Sequence, residues 1–367
     1  MEFTLDRQAT AGPLVALGDL QWLFANLGLD PHYRDWFRHR AWVRTIHGTT
    51  RIEGNSLNDL EVEEVLERLP NTRQKDALEV LATRAALAFV DEIAPDPQLV
   101  VDERVIREIH RRVLDEIDPM LRPGEYRAGE NRVGDADGNI IFATALSGDV
   151  PDLMHRFGQW LREGALHEHP AVAAALGHLE LVAIHPFYDG NGRTARALSR
   201  LLLVHHGLAL DGLVSLDAYL DLQRRDYFAS VRASLGTSYT RGYDATPFVT
   251  YYLRAIVGAA EHVLSRVKGT TELLRVLREA VAKDELLPQL TDALVYTWIN
   301  GTIRPSDYRT ITGRTGPSAT RDLGRAVRAG YLTASGETKS RRYSAGPKLV
   351  AVQPVTVTAR VAGAPSA

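Results

Sequence analysis

The stretch that decides the fold is IHPFYDGNGRTAR, Ile184 to Arg196, which holds a histidine, an aspartate, two glycines around an asparagine, and two arginines. Upstream, PAVAAALGHLELVAIHPF begins with Pro170, a residue favoured in the first turn of a helix, and repeats apolar residues at helical spacing. The sequence therefore predicts a helix, a glycine-containing turn and a second helix.

One interpretation of this turn is purely structural. The glycines then supply backbone geometry, Asp189 caps the second helix and His185 ends the first. The positions of Arg193 and Arg196 argue against it, because the dipole of a helix disfavours cations in its first turns. Positive charge at a helix N-terminus is favourable where an anion binds.

A second interpretation is a dinucleotide-binding fold. GNGRTA fits the fingerprint G-x-G-x-x-G/A, and Asp211 lies about 20 residues on, where that fold keeps an acidic ligand of the ribose. The fingerprint requires a strand before the turn. Since the residues before it have helical spacing, and no alternation of strands and helices follows, the sequence favours a helical domain over this fold.

A third interpretation is a phosphate site that also performs chemistry. Free N–H groups around Gly190 to Gly192 form an anion nest at a helix N-terminus. Asp189 supplies a carboxylate, which Mg²⁺ binds together with phosphate oxygens. Arg193 and Arg196 supply fork-shaped donors for phosphate. His185 is the nearby group whose ordinary pKa suits a general base near neutral pH.

HPFYDGNGRTAR also resembles the signature of the Fic (Fido) family, H-P-F-x-[DE]-G-N-G-R-x-x-R, with every fixed position filled. The resemblance implies a mainly α fold: a Fic-type helical bundle with a small β-hairpin flap that binds the target. It further implies a protein adenylyltransferase that transfers AMP from ATP to a Ser, Thr or Tyr hydroxyl of a target protein, with Mg²⁺ as cofactor.

The site residues implied by the resemblance follow the motif. His185 would deprotonate the target hydroxyl, and Asp189 would hold Mg²⁺. The nucleotide-binding residues of the motif would be Gly190, Asn191, Gly192, Arg193, Thr194 and Arg196. Further along the chain, Tyr227 is a candidate for an aromatic wall beside the adenine, although aromatic residues at helical spacing are also typical of a core.

Residues 124–148 interrupt the helical pattern. They carry five glycines and an Asp137-Gly138-Asn139 turn between short β-compatible runs, which predicts a hairpin or flap. The edge of a hairpin beside the site can hold an extended target segment by strand addition.

The segment TTRIEGNSL, residues 49–57, is typical of a helix end before another helix. Candidate caps for that next helix are Asn55, Ser56 and Asn58. The segment also resembles the family's inhibitory motif, [ST]-x-x-x-E-[GN], at residues 49–54. The resemblance implies that Glu53 pairs with Arg196 and competes with the γ-phosphate, so that the wild-type protein is weakly active. In some relatives this glutamate helps to remove AMP, so de-AMPylation is a second expectation.

The C-terminal part differs in charge. Between Asn300 and Val350 there are ten basic and three acidic residues, a net charge of +7 that leaves −10 for the rest of the chain. Three helical segments and a short hairpin follow one another in an order that resembles a winged helix, with 318–329 as the recognition helix and Arg321, Arg325 and Arg328 on one face. DNA binding through residues 300–350 is one interpretation, and a solvated face on a packing or homodimerisation module is the other.

Composition sets the outer limits. The chain has 367 residues, 45% of them hydrophobic, and nearly balanced charges, so no global field commits it to nucleic acid or membrane. With no cysteine, disulfides and thiolate metal sites are excluded. Neither an export signal nor a membrane span is predicted, and the cytoplasm is the expected location.

The predicted organisation has four parts. They are an N-terminal segment at 1–30, a catalytic domain at 31–268, a winged-helix-like domain at 270–350 and a flexible tail at 351–367. The leading function is an autoinhibited adenylyltransferase, and the alternative is a nucleotide-sensing DNA-binding regulator.

Overall fold

The computed structural model describes residues 1–70, 72–134, 140–336 and 341–352. The chain divides into two compact units, one formed by residues 1–26 and 41–259 and the other by residues 27–40 and 260–367. The first unit therefore includes the start of the chain, and the second takes a short segment from 27–40. The ranges predicted from sequence, 1–30, 31–268, 270–350 and 351–367, stay predictions.

Helices make up most of the described residues, and the strands are two to four residues long, so the predicted mainly α class is confirmed. Up to residue 283 the elements are β1 (Phe3–Thr4), α1 (Arg7–Ala25), α2 (Pro31–Ile52), α3 (Asp59–Arg68), α4 (Lys75–Ile93), α5 (Glu103–Val113), β2 (Arg132–Gly134), β3 (Ile140–Ala143), α6 (Val150–Arg162), α7 (Pro170–Ile184), α8 (Asn191–His205), α9 (Leu216–Leu222), α10 (Arg224–Leu235), β4 (Tyr243–Asp244) and α11 (Thr246–Lys283). The later elements are α12 (Leu290–Asn300), β5 (Thr302–Ile303), α13 (Pro305–Thr312), α14 (Gly316–Arg328), β6 (Leu332–Ser335), β7 (Arg342–Ala345) and α15 (Pro347–Val352). In the described parts, no helix has an apolar run long enough to cross a bilayer.

The core of the first unit is built around α7. Nearly every residue of this helix from Ala171 to Ile184 is buried, as expected for a helix that is apolar on all sides. The helix α8 packs along it, and α4 and α5 pack against α8. The turn that joins α7 to α8 is therefore held by buried elements.

The first residues of the chain belong to this unit through a parallel strand pair. Phe3 pairs with Tyr243 and Thr4 with Asp244, which joins β1 to β4. Asp6 then caps α1, its carboxylate accepting from the N–H of Gln8 at 2.8 Å. Sequence patterns gave no indication of this pairing, because the two strands are short and far apart in the chain.

The predicted flap contains an antiparallel pair. Strand β2 pairs with β3, with Val133 opposite Phe142, and Ala143 forms an isolated parallel bridge with Ser238. Ile140 is 54% exposed, so apolar surface faces outward on this hairpin. The predicted turn at 137–139 lies outside the described residues.

The segment at 49–57 joins two helices. The helix α2 ends at Ile52, and Asn58 caps α3 in a capping box with Glu61. Of the three candidate caps, Asn58 therefore caps the helix. Asn55 and Ser56 make other contacts, which are described below.

The second unit carries α12, β5, α13, α14, β6 and β7 in chain order. Its antiparallel sheet has the order β5-β7-β6, and Tyr308, Leu323 and Tyr343 are buried in its core. The three predicted helices are present at α12, α13 and α14. Residues 337–340 of the predicted hairpin and residues 353–367 of the predicted tail lie outside the described parts, and the winged-helix assignment stays a prediction.

Candidate active site

The turn between α7 and α8 has a residue in the left-handed backbone conformation at each end. His185 ends α7 in the left-handed region, at φ 54° and ψ 58°, and its N–H donates to the carbonyl oxygen of Leu181 across 3.0 Å. Gly190 has a φ of 74°, which a residue with a Cβ atom adopts only at a cost, and α8 begins immediately after it. The chain therefore reverses between two buried helices with little freedom.

Asn191 braces the turn from inside. Its Oδ1 accepts from the N–H of Phe187 at 3.0 Å, and its Nδ2 donates to the carbonyl oxygen of the same residue at 2.9 Å. Phe187 is fully buried. Both polar groups of the Asn191 side chain therefore stabilise the turn, and the predicted contact of Asn191 with phosphate stays a prediction.

The first turn of α8 carries no side-chain cap. The first N–H groups of a helix lack intrahelical acceptors, and the helix dipole makes this end positive. A methyl group built on Gly192 would overlap the carboxylate of Glu53 and would lie 3.3 Å from Nη1 of Arg196. A carboxylate thus already lies where the N-terminus of α8 attracts an anion.

Glu53 and Arg196 are paired in the structure. Nη2 of Arg196 donates to Oε1 of Glu53 at 2.5 Å and to the carbonyl oxygen of Thr49 at 3.0 Å, and Nε donates to Oγ1 of Thr49 at 2.6 Å. Burial, the largest single effect, lowers the pKa of Arg196, but the negative charge and hydrogen bond of Glu53, together with Tyr227 and Asp217, raise that pKa overall. The charged guanidinium is therefore stabilised in the interior mainly by its pairing with Glu53.

Arg193 has far fewer contacts. It is 3% exposed, and its ion pairs are a 3.3 Å contact from Nη2 to Oδ2 of Asp189 and a 4.0 Å contact from Nη1 to Oε1 of Glu79. Among the residues that the structure describes, neither Nε nor Nη1 of Arg193 has a hydrogen-bond partner. A buried cation with open donors suits an anionic ligand.

His185 is half-buried, and its Nδ1 lies 3.4 Å from the carbonyl oxygen of Val182. Since a carbonyl oxygen only accepts, Nδ1 carries the ring proton and Nε2 is left to accept one. Burial lowers the pKa of His185 to about 4, against a smaller opposing effect from Val182. The imidazole is therefore neutral at pH 7, as a general base must be.

Asp189 lies at the start of the same anion site. Its Oδ1 accepts from the N–H of Gly190 at 2.6 Å, and its side chain is 45% exposed. The described residues contain no cluster of three or more side chains able to hold a metal. One exposed carboxylate still fits Mg²⁺, because that ion takes one or two carboxylates together with phosphate oxygens and water.

Two predicted nucleotide contacts lie in the interior. Thr194 is fully buried. Tyr227 is 2% exposed, and its hydroxyl lies 2.8 Å from Nε2 of His178. In this state neither side chain offers a surface to a nucleotide, and their contacts with it stay predictions. Tyr227 is close enough to Arg196 for the two side chains to interact electrostatically.

Two further residues support the turn and were missed by the sequence analysis. Arg127, near the start of the flap segment, is 2% exposed and donates from Nε to the carbonyl oxygen of His185 at 2.8 Å. His110 stacks on Phe187, with ring centroids 3.6 Å apart, and its Nε2 lies 3.0 Å from the carbonyl oxygen of Asp189. A histidine on the apolar face of α5 was the only sequence signal for His110.

His110 has a defined tautomer. Its Nδ1 accepts from the N–H of Gly124 at 2.9 Å, so Nε2 carries the proton and donates to Asp189. Burial lowers the pKa of His110 to about 4, which keeps it neutral. The ring therefore links the flap segment to the turn by two backbone hydrogen bonds.

Comparison with known proteins identifies relatives of this site. Residues 100–203 match the Fic/DOC family. A protein adenylyltransferase Fic from Aedes aegypti is 34% identical over 171 residues, which are 46% of this chain and 33% of that protein. A protein of the same name from Drosophila mojavensis is 36% identical over 174 residues, with the same shares. The matched part of this chain thus spans about a third of the length of these relatives.

Solved structures give the same assignment for the fold. A Fic family protein from Desulfovibrio desulfuricans superposes with a TM-score of 0.60 at 21% identity, over 95% of this chain and 98% of that one. Fic-1 from C. elegans superposes with a TM-score of 0.55 at 25% identity, over 71% of this chain and 72% of the other. The predicted helical bundle is therefore the fold of these proteins.

Proposed function

The chain carries a domain of the Fic/DOC family, and on this premise we propose that it is a protein adenylyltransferase that transfers AMP from ATP to a hydroxyl side chain of a target protein. The observation that carries the proposal is the pair of buried arginines in the first turns of α8, one of them with open donors. Cations are disfavoured there unless an anion joins them.

The chemistry assigned to His185 is proton transfer. Its neutral Nε2 takes the proton from the target hydroxyl as that oxygen attacks the α-phosphorus of ATP. The new oxygen–phosphorus bond forms, the bond to the β-phosphate breaks, and pyrophosphate leaves with that bond's electron pair. The first N–H groups of α8 and the two arginines, Arg193 and Arg196, stabilise the charge on the phosphates.

Asp189 is the residue that would hold Mg²⁺. Bound there, the ion would neutralise phosphate charge and polarise the oxygens to which it binds. The side chain of Asp189 is exposed beside the N-terminus of α8. A metal ion bound to this carboxylate could therefore also bind the oxygens of a phosphate held at that N-terminus. Its second role is to fix the turn, through the hydrogen bond from Gly190.

Glu53 is proposed as the inhibitor of this reaction. Its carboxylate lies against Gly192 and is paired with Arg196, so it competes with the terminal phosphate of a productively bound ATP. The same carboxylate could position a water molecule for removal of AMP from a modified target, the reverse activity expected from the family resemblance.

The test uses purified wild-type, Glu53→Gly and Glu53→Gly/His185→Ala proteins, each incubated with Mg²⁺ and ATP labelled in the α-phosphate. Intact mass and label are then measured on the protein itself and on added extract proteins. The proposal expects AMP incorporation that is weak in wild type, strong in Glu53→Gly and absent without His185. Equal incorporation with and without His185 would contradict the assigned base.

DNA binding by the C-terminal unit is the second candidate function. Arg321, Arg325 and Arg328 are all exposed on α14, and the order of helices and strands is typical of a winged helix. Full-length protein should then bind duplex DNA with an affinity that falls as salt rises. Replacing the three arginines by alanine should reduce the slope against log salt by about 3. An unchanged slope would reject this interface. Homodimerisation through the C-terminal unit, the other interpretation of its charged face, stays a prediction.

A further inference from the structure

The segment that follows Glu53 is held by the first turns of α4. Nδ2 of Asn55 donates to Oε2 of Glu79 and to the carbonyl oxygen of Asp76, both at 2.9 Å. The N–H of Ser56 donates to Oδ2 of Asp76 at 3.0 Å, and its hydroxyl donates to the same oxygen. Asn55 is 6% exposed and Glu79 is 7% exposed, so water cannot readily replace the bond between them.

The carboxylate of Glu79 faces the anion site as well. Its Oε1 lies 4.0 Å from Nη1 of Arg193, and 3.8 Å from Nζ of Lys75, whose side chain is 73% exposed. The distance to Arg193 is that of an ion pair without a hydrogen bond, in agreement with the open Nη1 donor. One carboxylate therefore contacts both the segment that carries Glu53 and an arginine proposed to bind the nucleotide.

We propose that Asn55 and Glu79 form a latch that holds Glu53 against Arg196, and that Glu79 in addition opposes the binding of nucleotide phosphate at Arg193. Both are positioning residues, because neither contacts the reacting atoms. The inference rests on the proposed adenylyl transfer and adds the regulation of the same site. In the inhibited state, Glu53 then faces Arg196 and Glu79 faces Arg193, so each arginine has its own carboxylate.

The physical reason differs for the two residues. Asn55 is two positions after Glu53, and its hydrogen bond to a buried carboxylate fixes the direction in which the chain leaves α2. Glu79 places a negative charge beside a buried arginine, where the low dielectric strengthens its repulsion of an incoming phosphate. Loss of Asn55 should therefore act through Glu53, whereas loss of the Glu79 charge should act at Arg193 directly.

The test measures the affinity for α,β-methylene-ATP with Mg²⁺ by calorimetry. This analogue lacks the cleavable oxygen bridge, so binding is separated from transfer. The proteins are wild type, Glu53→Gly, Asn55→Ala and Glu79→Gln. The matched control is Glu92→Gln, which makes the same change of charge at an exposed position of α4. Glu79→Gln keeps the shape of the side chain and an acceptor for Asn55, so it is the variant that least disturbs folding.

Asn55→Ala should raise the affinity for the analogue roughly tenfold, the effect of losing one hydrogen bond to a charged group. Glu79→Gln should raise it by roughly the same factor because it removes a negative charge 4.0 Å from Nη1 of Arg193, and Glu92→Gln should leave the affinity unchanged. Combined with Glu53→Gly, Asn55→Ala should add nothing, while Glu79→Gln should still raise the affinity. Wild-type affinity in both single variants overturns the latch. A further gain from Asn55→Ala in the Glu53→Gly protein overturns its action through Glu53.

AMP incorporation tests the proposed function, and analogue binding tests the latch, so the two can fail separately. AMP incorporation in Glu53→Gly together with unchanged analogue binding in Asn55→Ala and Glu79→Gln keeps adenylyl transfer and rejects the latch. Absence of incorporation in Glu53→Gly, with the predicted pattern of affinities, rejects transfer by this chain and keeps the latch as a control of nucleotide binding. Thermal unfolding of each variant shows that the compared proteins are folded.

Discussion

Arg127 donates from its Nε atom to the carbonyl oxygen of His185 across 2.8 Å. The same guanidinium donates to the carbonyl oxygen of Gly129 at 3.0 Å and to Oγ1 of Thr144 at 3.1 Å. It lies at the carbonyl end of α7, where the helix dipole favours a cation. One buried arginine thus joins the proposed base to residues on both sides of the flap hairpin.

Arg127→Lys should slow AMP transfer, because a single ammonium group cannot reproduce the fork of the guanidinium. A shift of about 1 Å at the base costs on the order of 100-fold in rate. In the Glu53→Gly protein, we expect the self-modification rate at saturating ATP to fall by roughly that factor. The affinity for α,β-methylene-ATP should change little. The control is Arg132→Lys on β2, where the side chain is exposed. Equal rates for the two variants would show that Arg127 has no positioning role.

The pH dependence of transfer should lack the usual histidine inflection. Since burial lowers the pKa of His185 to about 4, the base stays neutral well below pH 6.5, and the active form persists as the pH falls. Self-modification of Glu53→Gly, measured between pH 8 and 5.5, should be nearly constant once corrected for analogue binding at each pH. A half-maximal rate between pH 6 and 7 would mean that His185 titrates as an exposed histidine.

His178 should make the folded state less stable in acid. Its ring is fully buried between Tyr227 and Ser199, and burial lowers the pKa of His178 to about 3. As the pH falls below 6.5, the unfolded chain takes up a proton that the folded chain does not, so stability is lost over the range from 6.5 to about 3.

Between pH 7 and 5 this effect amounts to about 2 kcal/mol for one histidine. We expect His178→Gln to lose about that much less stability than wild type over this interval, measured by urea unfolding. His39→Gln, at an exposed position, provides the comparison. The pH dependence of stability is the readout, since the substitution itself also changes packing. Parallel curves for wild type and His178→Gln would rule out this contribution.

Gly48 allows α2 to approach α9 closely. A Cβ atom there would lie 2.6 Å from the backbone N of Ala218, so α2 would have to move. Gly48→Ala should destabilise the protein by about 1 to 3 kcal/mol and, because Thr49 and Glu53 follow on the same segment, should weaken the contacts to Arg196. Urea unfolding and analogue binding measure the two effects. Gly12→Ala, with no atom within 4 Å of its new methyl group, should show neither.

The turn itself was predictable because its information is local. Helical spacing before it, glycines within it and arginines after it predict the helix–turn–helix and an anion site, and the family resemblance assigned the individual roles. The pairing of Glu53 with Arg196 came from that resemblance alone. Nothing in the spacing of residues 143 positions apart indicates a contact between them.

The supporting contacts were not predictable, since each depends on tertiary structure. Arg127 and His110 act on the turn from 58 and 79 positions away, and each was one polar residue among many in its segment. Asn191 was expected to bind phosphate, which stays a prediction, and the hydrogen bonds of its side-chain amide to the backbone of the turn were not foreseen. A sequence motif shows that a residue is needed without showing what it contacts.

The carboxylate of Glu53 and the guanidinium of Arg196 belong to one chain, which makes their competition with nucleotide intramolecular. A competitor in the same chain acts at an effective concentration that is fixed by the geometry of the folded protein and not by the amount of protein in solution. Dilution does not relieve such inhibition, and raising the amount of protein does not strengthen it. At the proposed ATP site, the fraction of open molecules therefore depends on the nucleotide level relative to this internal concentration.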